Sequence, residues 1–212
     1  MEDIILLGIG GHAHSVVDSI EQCGKYRIVG FLDTVEKQGE TYKEYKVIGT
    51  DDMLERYYHK GIKYAFITVG YLGKSKIREK LYEKIKEIGY RLPNIIDESA
   101  IMAKNVKMGE GSFVGKRAVV NANSEIGNMC IVNTGAIIEH DCIVGDMSHI
   151  AVGTIVCGQT KIGESTFVGA NSVIRQGIQI GSNAIIGAGS VVVKNVSDSI
   201  IKYGNVEKRI EG

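Results

Sequence analysis

The sequence predicts two successive architectures: an α/β domain over residues 1–97 and a parallel β-helix of hexapeptide repeats over residues 98–212. Three observations carry this division. From Met102 to Val192 an aliphatic residue returns at every sixth position. The residue two places earlier is usually small, as at Ser112, Ala118, Cys130 and Thr154, and glycine often follows the aliphatic, as at Gly109, Gly127, Gly145 and Gly163. Before residue 98 the pattern changes to strand-length apolar runs that alternate with helical periodicity.

A six-residue period fits neither an isolated helix nor a simple alternating strand, and it is the mark of a hexapeptide β-helix. Each repeat supplies one short flat face and a corner. The aliphatic points into a prism, the small residue fits a crowded inward position, and glycine or asparagine at the corner accepts backbone angles that branched residues resist. Three faces close a coil, so the chain returns to its starting side every 18 residues. No repeat can bury its own aliphatic; only stacked coils do.

Composition limits the partners. With 25 basic and 25 acidic residues the chain has no net charge, which argues against a nucleic-acid or membrane-surface protein. Met1-Glu2-Asp3-Ile4 has no basic stretch before a short apolar run, so neither a signal peptide nor a membrane span is expected, and a cytoplasmic location is. Cys130 and Cys142 fall on the small inward position, where a thiol acts as a small hydrophobe. Without a CxxC pair or a compact Cys/His cluster, neither zinc nor disulfides are expected.

In the α/β part, residues 3–8 read as a buried strand running into Gly8-Ile9-Gly10-Gly11-His12-Ala13. A strand that empties into glycines and then a helix offers free backbone N–H groups to an anion. A second strand, 26–32, ends in Asp33, and a third, 63–69, ends in Gly70. Helices are expected at 12–23, 51–60 (opening on Thr50-Asp51-Asp52) and 74–88. This β-α-β-α-β-α pattern is a small Rossmann-like unit, whose ligand belongs at the carboxyl ends of the strands. A tight turn for the glycines and a loop cap for Asp33 are the plainer alternatives. Convergence at strand ends favours a nucleotide or nucleotide-sugar pocket. The mixed charges of the lysine-rich third helix read as a solvated face, and His14 and His59 as surface residues.

On the prism, a functional group must take an outward or corner position. Most of these carry Lys, Glu, Asn or Ser; the exception is Asn133 to Cys142, followed by Ser148-His149. His140 lies between Glu139 and Asp141, and an imidazole beside a carboxylate can act as a general base near neutral pH. His149 is nine residues on, half a coil away. The two histidines therefore fall on different faces of one prism and meet only across a groove between two prisms, which implies an oligomer. A pair of surface histidines is the plainer alternative. A prism-type zinc carbonic anhydrase needs three converging histidines, and this prism offers two. A non-enzymatic sugar-nucleotide-binding trimer is a further alternative.

The chain resembles the bacterial hexapeptide-repeat sugar acyltransferases, among them the UDP-4-amino-sugar and GDP-perosamine N-acetyltransferases and the sialic acid O-acetyltransferases. The resemblance spans the chain: Gly8-Ile9-Gly10-Gly11-His12, Gly30-Phe31-Leu32-Asp33, Asn133 to Cys142 with its Ile138-Glu139-His140-Asp141-Cys142 core, and Ser148-His149. It implies a left-handed β-helix, a homotrimer, and acetyl-CoA in the groove between neighbouring prisms. The activity implied is acetylation of the amine of a nucleotide-linked sugar by direct transfer, for surface glycan biosynthesis; O-acetylation of sialic acid or another sugar hydroxyl is the alternative. His140 matches the family's general base, Asp141 the acid that orients it, and the Gly158 amide the oxyanion donor. His149, Ala170 and Ala188, with Asn133 nearby, match acetyl-CoA contacts. Gly10, Gly11, His12, Asp33, Thr34 and Gly70 match contacts to the sugar nucleotide. Two features depart from the pattern: Thr34 stands where many relatives have a second aspartate, and the tail from Gly204 to Arg209 lacks the usual Gly-Pro-Ala-like element.

Overall fold

The computed structural model describes residues 1–73, 76–204 and 206–209. It divides into two compact units, Met1–Gly70 with Ser75–Ile95, and Tyr71–Lys74 with Ile96–Gly212.

The first unit runs β1 (Glu2–Leu7), α1 (Gly11–Cys23), β2 (Tyr26–Leu32), β3 (Thr41–Tyr42), β4 (Tyr45–Gly49), α2 (Leu54–His59), β5 (Tyr64–Ile67) and α3 (Ile77–Ile88). The sheet order is β3-β4-β2-β1-β5, and β1 pairs in parallel with both β2 and β5. Ile4, Ile5, Leu6 and Leu7 are all buried, as a strand covered on both faces requires. Helix α1 buries Ala13, Val16, Val17 and Ile20, the i, i+3, i+4, i+7 stripe of an amphipathic helix. Strand order reverses beside β1, so the ends of β1, β2 and β5 open onto a switch point where ligands bind in such sheets.

Three details differ from the sequence reading. The β3–β4 hairpin was not expected; its turn uses Lys43 at φ 53° in place of a glycine signal. The second helix opens with a 3-10 turn, Asp51–Met53. The third starts at Ile77, and residues 74 and 75 of the expected span lie outside the described residues. His14 is exposed and stacks on Tyr42 at 3.7 Å, and His59 is exposed on α2.

The second unit is a left-handed parallel β-helix. Two-residue strands recur from Ile101–Met102 to Val191–Val192, each ending on the aliphatic of the six-residue repeat. Pairing is always to the coil above, as in Val119↔Ile137 and Val120↔Ile138. Three faces result. The first holds strands such as 119–120, 137–138 and 155–156; the second 125–126, 143–144 and 161–162; the third 131–132, 149–150 and 167–168. The inward aliphatics form one continuous column through the prism.

The small residue does more than save space. Ser112 Oγ donates to Gly127 O at 3.0 Å and accepts from Cys130 N at 2.8 Å. Ser124 and Ser148 bridge coils in the same way. Cys130 and Cys142, buried as expected, direct their thiols to Gly145 O and Cys157 O at 3.2 and 3.3 Å. Burial pushes the Cys142 thiol up to about 11.

Glycine and asparagine take left-handed corners as predicted, at positions such as Gly135 and Asn123, but the glycines that directly follow the aliphatic have a different reason. Left-handed residues occur three places after the inward aliphatics, and many carry side chains, including Arg117, Met129, Asp141 and Gln159. Each left-handed residue outside glycine costs roughly 1–2 kcal/mol, and an inter-coil hydrogen bond accompanies it, such as Gln159 N to His140 O at 2.9 Å. The glycines after the aliphatic are required by close approach instead: a Cβ on Gly163 would lie 2.5 Å from Ser182 N.

Beyond the last coil, Ile200–Tyr203 continues the third face and pairs antiparallel with Val206–Arg209 of the atypical tail. Gly163→Ala is expected to lower stability by about 1–3 kcal/mol through overpacking, read as a drop in thermal midpoint. Gly135→Asn, at a left-handed corner with open space around it, is expected to stay within about 0.5 kcal/mol of the parent.

Candidate active site

In the first unit the glycine turn is braced by Asp33. Its Oδ2 accepts from Ile9 N at 2.8 Å and from Lys37 Nζ at 3.1 Å, and its Oδ1 accepts from Thr34 N at 2.7 Å. Burial pushes the Asp33 carboxyl up, but the Ile9 and Thr34 amides and the Lys37 ammonium outweigh it and hold the group below its ordinary value. Gly8 adopts φ 106°, and a Cβ there would meet Val69 at 2.8 Å, so only glycine fits the turn. Gly10 caps α1, and Gly10 and Gly11 are exposed with open space above them. Gly70 brings its Cα beside His12, where an added Cβ would lie 3.7 Å from the His12 Cβ.

A cleft of about 580 Å³ opens at these strand ends, lined by Gly8, Asp33, Thr34, Thr50, Asp51, Asp52, Lys80 and Lys84 among others. Asp33 and Thr34 were anticipated there. Asp51, Asp52, Lys80 and Lys84 were not: the acidic pair reads as a helix start and the lysines as a solvated face. Lys84 Nζ in fact bridges Asp51 and Asp52, at 3.1 Å from each. The missed signal is that a helix packed on a parallel sheet has its inner rim at the strand ends, so charges there border the ligand crevice.

On the prism, His140 and Asp141 share the corner between the first and second faces. His140 Nδ1 donates to Asp141 Oδ2 at 2.8 Å, which leaves Nε2 as the acceptor. Asp141 Oδ1 accepts from Asn123 Nδ2 at 3.0 Å. These two bonds, His140 first, hold the Asp141 carboxyl below its ordinary value. The imidazole lies against Gly158, one coil on, where a Cβ would sit 2.6 Å from Nε2. Any other residue at 158 would displace the ring. Among the described residues the amides of Gly158, Ala170 and Ala188 have no acceptor, whereas in the Gly158 column the amides of Ala122 and His140 are taken by Asn121 and Glu139, and in the Ala170–Ala188 column the amide of Thr134 is taken by Asn133.

His149 departs from the expectation of an outward group needing a ligand. It lies on the third face, only 7% exposed. Nδ1 donates to Tyr71 O at 2.6 Å, Nε2 accepts from Asn133 Nδ2 at 3.2 Å, and the ring packs edge-on to Phe167. Thr134 N donates to Asn133 Oδ1 at 2.8 Å and fixes the amide's orientation, so Asn133 and His149 form one oriented pair. His140 and His149 are thus on different parts of the prism, as their spacing requires.

The outward residues of the first face, Ile101, Val119, Ile137, Ile155, Val173 and Val191, are all aliphatic, a feature absent from the sequence expectations. The second face presents Lys107, Glu125, Ile143, Lys161 and Gln179 at the equivalent places, all but Ile143 polar. The signal was present as an 18-residue period in the residue before each inward aliphatic. His140 stands at one edge of this apolar face, and the Ala170–Ala188 column at the other.

The PglD N-terminal domain model matches residues 3–85, and the bacterial transferase hexapeptide model (six repeats) matches residues 159–194. No curated protein matches the chain. PerB from Caulobacter crescentus, solved with CoA and GDP-perosamine, is 32% identical with a TM-score of 0.90, over 100% of this chain and 98% of that one. This chain belongs to the hexapeptide-repeat sugar acyltransferase family. The acetyltransferase domain of PglB from Neisseria gonorrhoeae matches this acyltransferase at 32% identity and a TM-score of 0.90, over 99% of this chain and 100% of that one. WeeI from Acinetobacter baumannii, at 24% identity and a TM-score of 0.85 over 98% of this chain and 99% of that one, shares the fold.

In the acyltransferase the Asp33 brace has a pH signature. Its carboxyl is lowered in the folded state, so the stabilisation is present above the unfolded-state value near ~4 and is lost as pH falls through the folded value. Asp33→Asn is expected to cost about 1–3 kcal/mol near neutral pH, with the gap in thermal midpoint between parent and variant closing on acidification. A gap that stays constant down to strongly acid pH would remove Asp33 as the brace.

Proposed function

We propose that this acyltransferase moves the acetyl group of acetyl-CoA to the amine of a nucleotide-linked amino sugar for surface glycan biosynthesis, in sites formed between the subunits of a homotrimer. The observation that carries the reading is the His140–Asp141 pair seated on Gly158 at the edge of the aliphatic face. PerB was solved with CoA and GDP-perosamine, and two further structures of that enzyme with one histidine replaced hold the same two molecules. The PglB domain was solved with acetyl coenzyme A.

The aliphatic first face calls for a covering surface, and a second copy of the chain supplies one of matching length and chemistry. Packing there brings the His140 edge of one prism toward the Ala170–Ala188 edge of a neighbour. The unengaged amides of Ala170 and Ala188 suit the amide groups of the pantetheine arm. The cleft of about 580 Å³ falls within the range that small ligands occupy; of the residues expected to contact the nucleotide, Asp33 and Thr34 line it, and Gly10, Gly11, His12 and Gly70 belong to the neighbouring turns at the β1 and β5 ends. Asn133 and His149 form a rigid wall near the cofactor edge.

Acetyl-CoA supplies an activated thioester. The sugar amine forms the new C–N bond and the C–S bond breaks. His140 Nε2 takes the amine proton and returns it to the departing thiolate, Asp141 stabilises the intervening imidazolium, and the Gly158 amide faces the developing oxyanion. A positioned base is worth about 10²–10⁴-fold and one oxyanion donor about 10²–10³-fold. Cys142, the cysteine nearest His140 in sequence, is unsuited as a nucleophile: it is buried with its thiol raised to about 11.

The test is CoA release with UDP-, GDP- and dTDP-linked amino sugars and CMP-sialic acid. Turnover is expected with at least one amino sugar, and His140→Ala should remain folded while losing at least about 100-fold in kcat/KM. Turnover only with CMP-sialic acid would replace N-acetylation by O-acetylation, and near-parental turnover by the variant would remove His140 from the mechanism.

A further inference from the structure

We propose that Asn123 is a positioning residue for acyl transfer, holding the Asp141 carboxylate in the rotation that presents Oδ2 to His140. The inference rests on the reading of His140 as the general base.

Asp141 has two carboxylate oxygens, and each has its own donor: Asn123 Nδ2 on Oδ1 at 3.0 Å and His140 Nδ1 on Oδ2 at 2.8 Å. A carboxylate only accepts, so the Asn123 NH₂ must face it and the Asn123 carbonyl must face away. There it receives the side-chain amide of Asn105, one coil earlier, and Asn105 Oδ1 in turn accepts from Asn123 N at 3.3 Å. The acceptor-only end fixes the direction of every bond from Asn105 to His140. Backbone register sets the spacing, since residues 105, 123 and 141 are successive members of one column. Asn123 and Asp141 share left-handed φ values of 59° and 58°, which Asn and Asp adopt more readily than most side chains.

Other coil-to-coil pairs, such as Lys107–Glu125 at 2.7 Å on the second face, end in solvent. The Asn column ends on the base. The remaining charged group against His140 is Glu139, whose Oε2 accepts from His140 N at 3.4 Å and from Asn121 Nδ2 at 3.2 Å. The thiol of Cys142 reaches His140 O, and Gly158 lies under the ring. Neither Glu139 nor Cys142 is bonded to Asp141, so Asn123 is the group that sets its rotation.

The experiment compares pH profiles of kcat/KM for the parent, Asn123→Gly, Asn123→Asp and His140→Ala. Glycine keeps the left-handed backbone and removes the amide. Aspartate keeps the shape and sets a second carboxylate against the first. Asn123→Gly should lower kcat by about tenfold, a fraction of what a general base supplies, with KM for both substrates unchanged. Its ascending limb should move to lower pH, because the imidazolium loses a fixed counter-charge. In Asn123→Asp the limb should move to higher pH, because added negative charge favours the imidazolium. Limbs that stay at the parental pH, with activity scaled only by folded fraction, would overturn the proposal while an inactive His140→Ala left the base in place. An active His140→Ala would remove both.

Discussion

Successive coils of the prism approach so closely after each second-face strand that Gly109, Gly127, Gly145, Gly163 and Gly181 have no room for a Cβ. That approach lets each strand pair with its counterpart 18 residues on, and it lets inward hydroxyls bridge one coil to the next. Register is consequently rigid. A residue and its coil neighbours form a column whose members cannot slip, and chemistry can be built by placing the right side chain in the right column.

The His140 corner is built this way. Asp141 and His140 are sequence neighbours, but their partners Asn123 and Gly158 come from the coils below and above. The same register gives the three faces separate outward characters. The second is largely polar. The third is covered in part by the Tyr71–Gly73 segment, with Tyr71 reaching Ser165 O and His149. The first is aliphatic along its length. Similar repeats thus produce a polar face, a covered face and an aliphatic face, and the His140–Asp141 corner borders the last of these.

Much of this was legible in the sequence, because inward positions are chemically constrained. Ile126, Val144 and Ile162 must be apolar, so their period survives intact and gives fold, strand positions and coil length together. His140 and Asp141 were legible as polar residues with no structural need at their corner. The exposed side of the chain carries weaker constraints. His149 looked free because sequence does not reveal that Tyr71, 78 residues away, provides its acceptor. The hairpin at Thr41–Gly49 lacked a glycine turn to announce it. Lys84, Asp51 and Asp52 meet only after the helices pack on the sheet. The left-handed glycines such as Gly135 were legible in their cause, but those after the inward aliphatic were legible only as a pattern, since close approach between coils and left-handed backbone leave the same glycine in the sequence.

The central claim is that catalysis needs two subunits, one contributing His140 and the next the Ala170–Ala188 edge. Co-assembly of two inactive variants tests it most directly: His140→Ala, which lacks the base, and Ala188→Trp, which fills the opposite edge. Each alone should be inactive, while trimers assembled from both should regain CoA release, because some interfaces join an intact His140 to an intact Ala188. Mixed trimers that form yet remain as inactive as either parent would place the whole site within one chain and contradict the account.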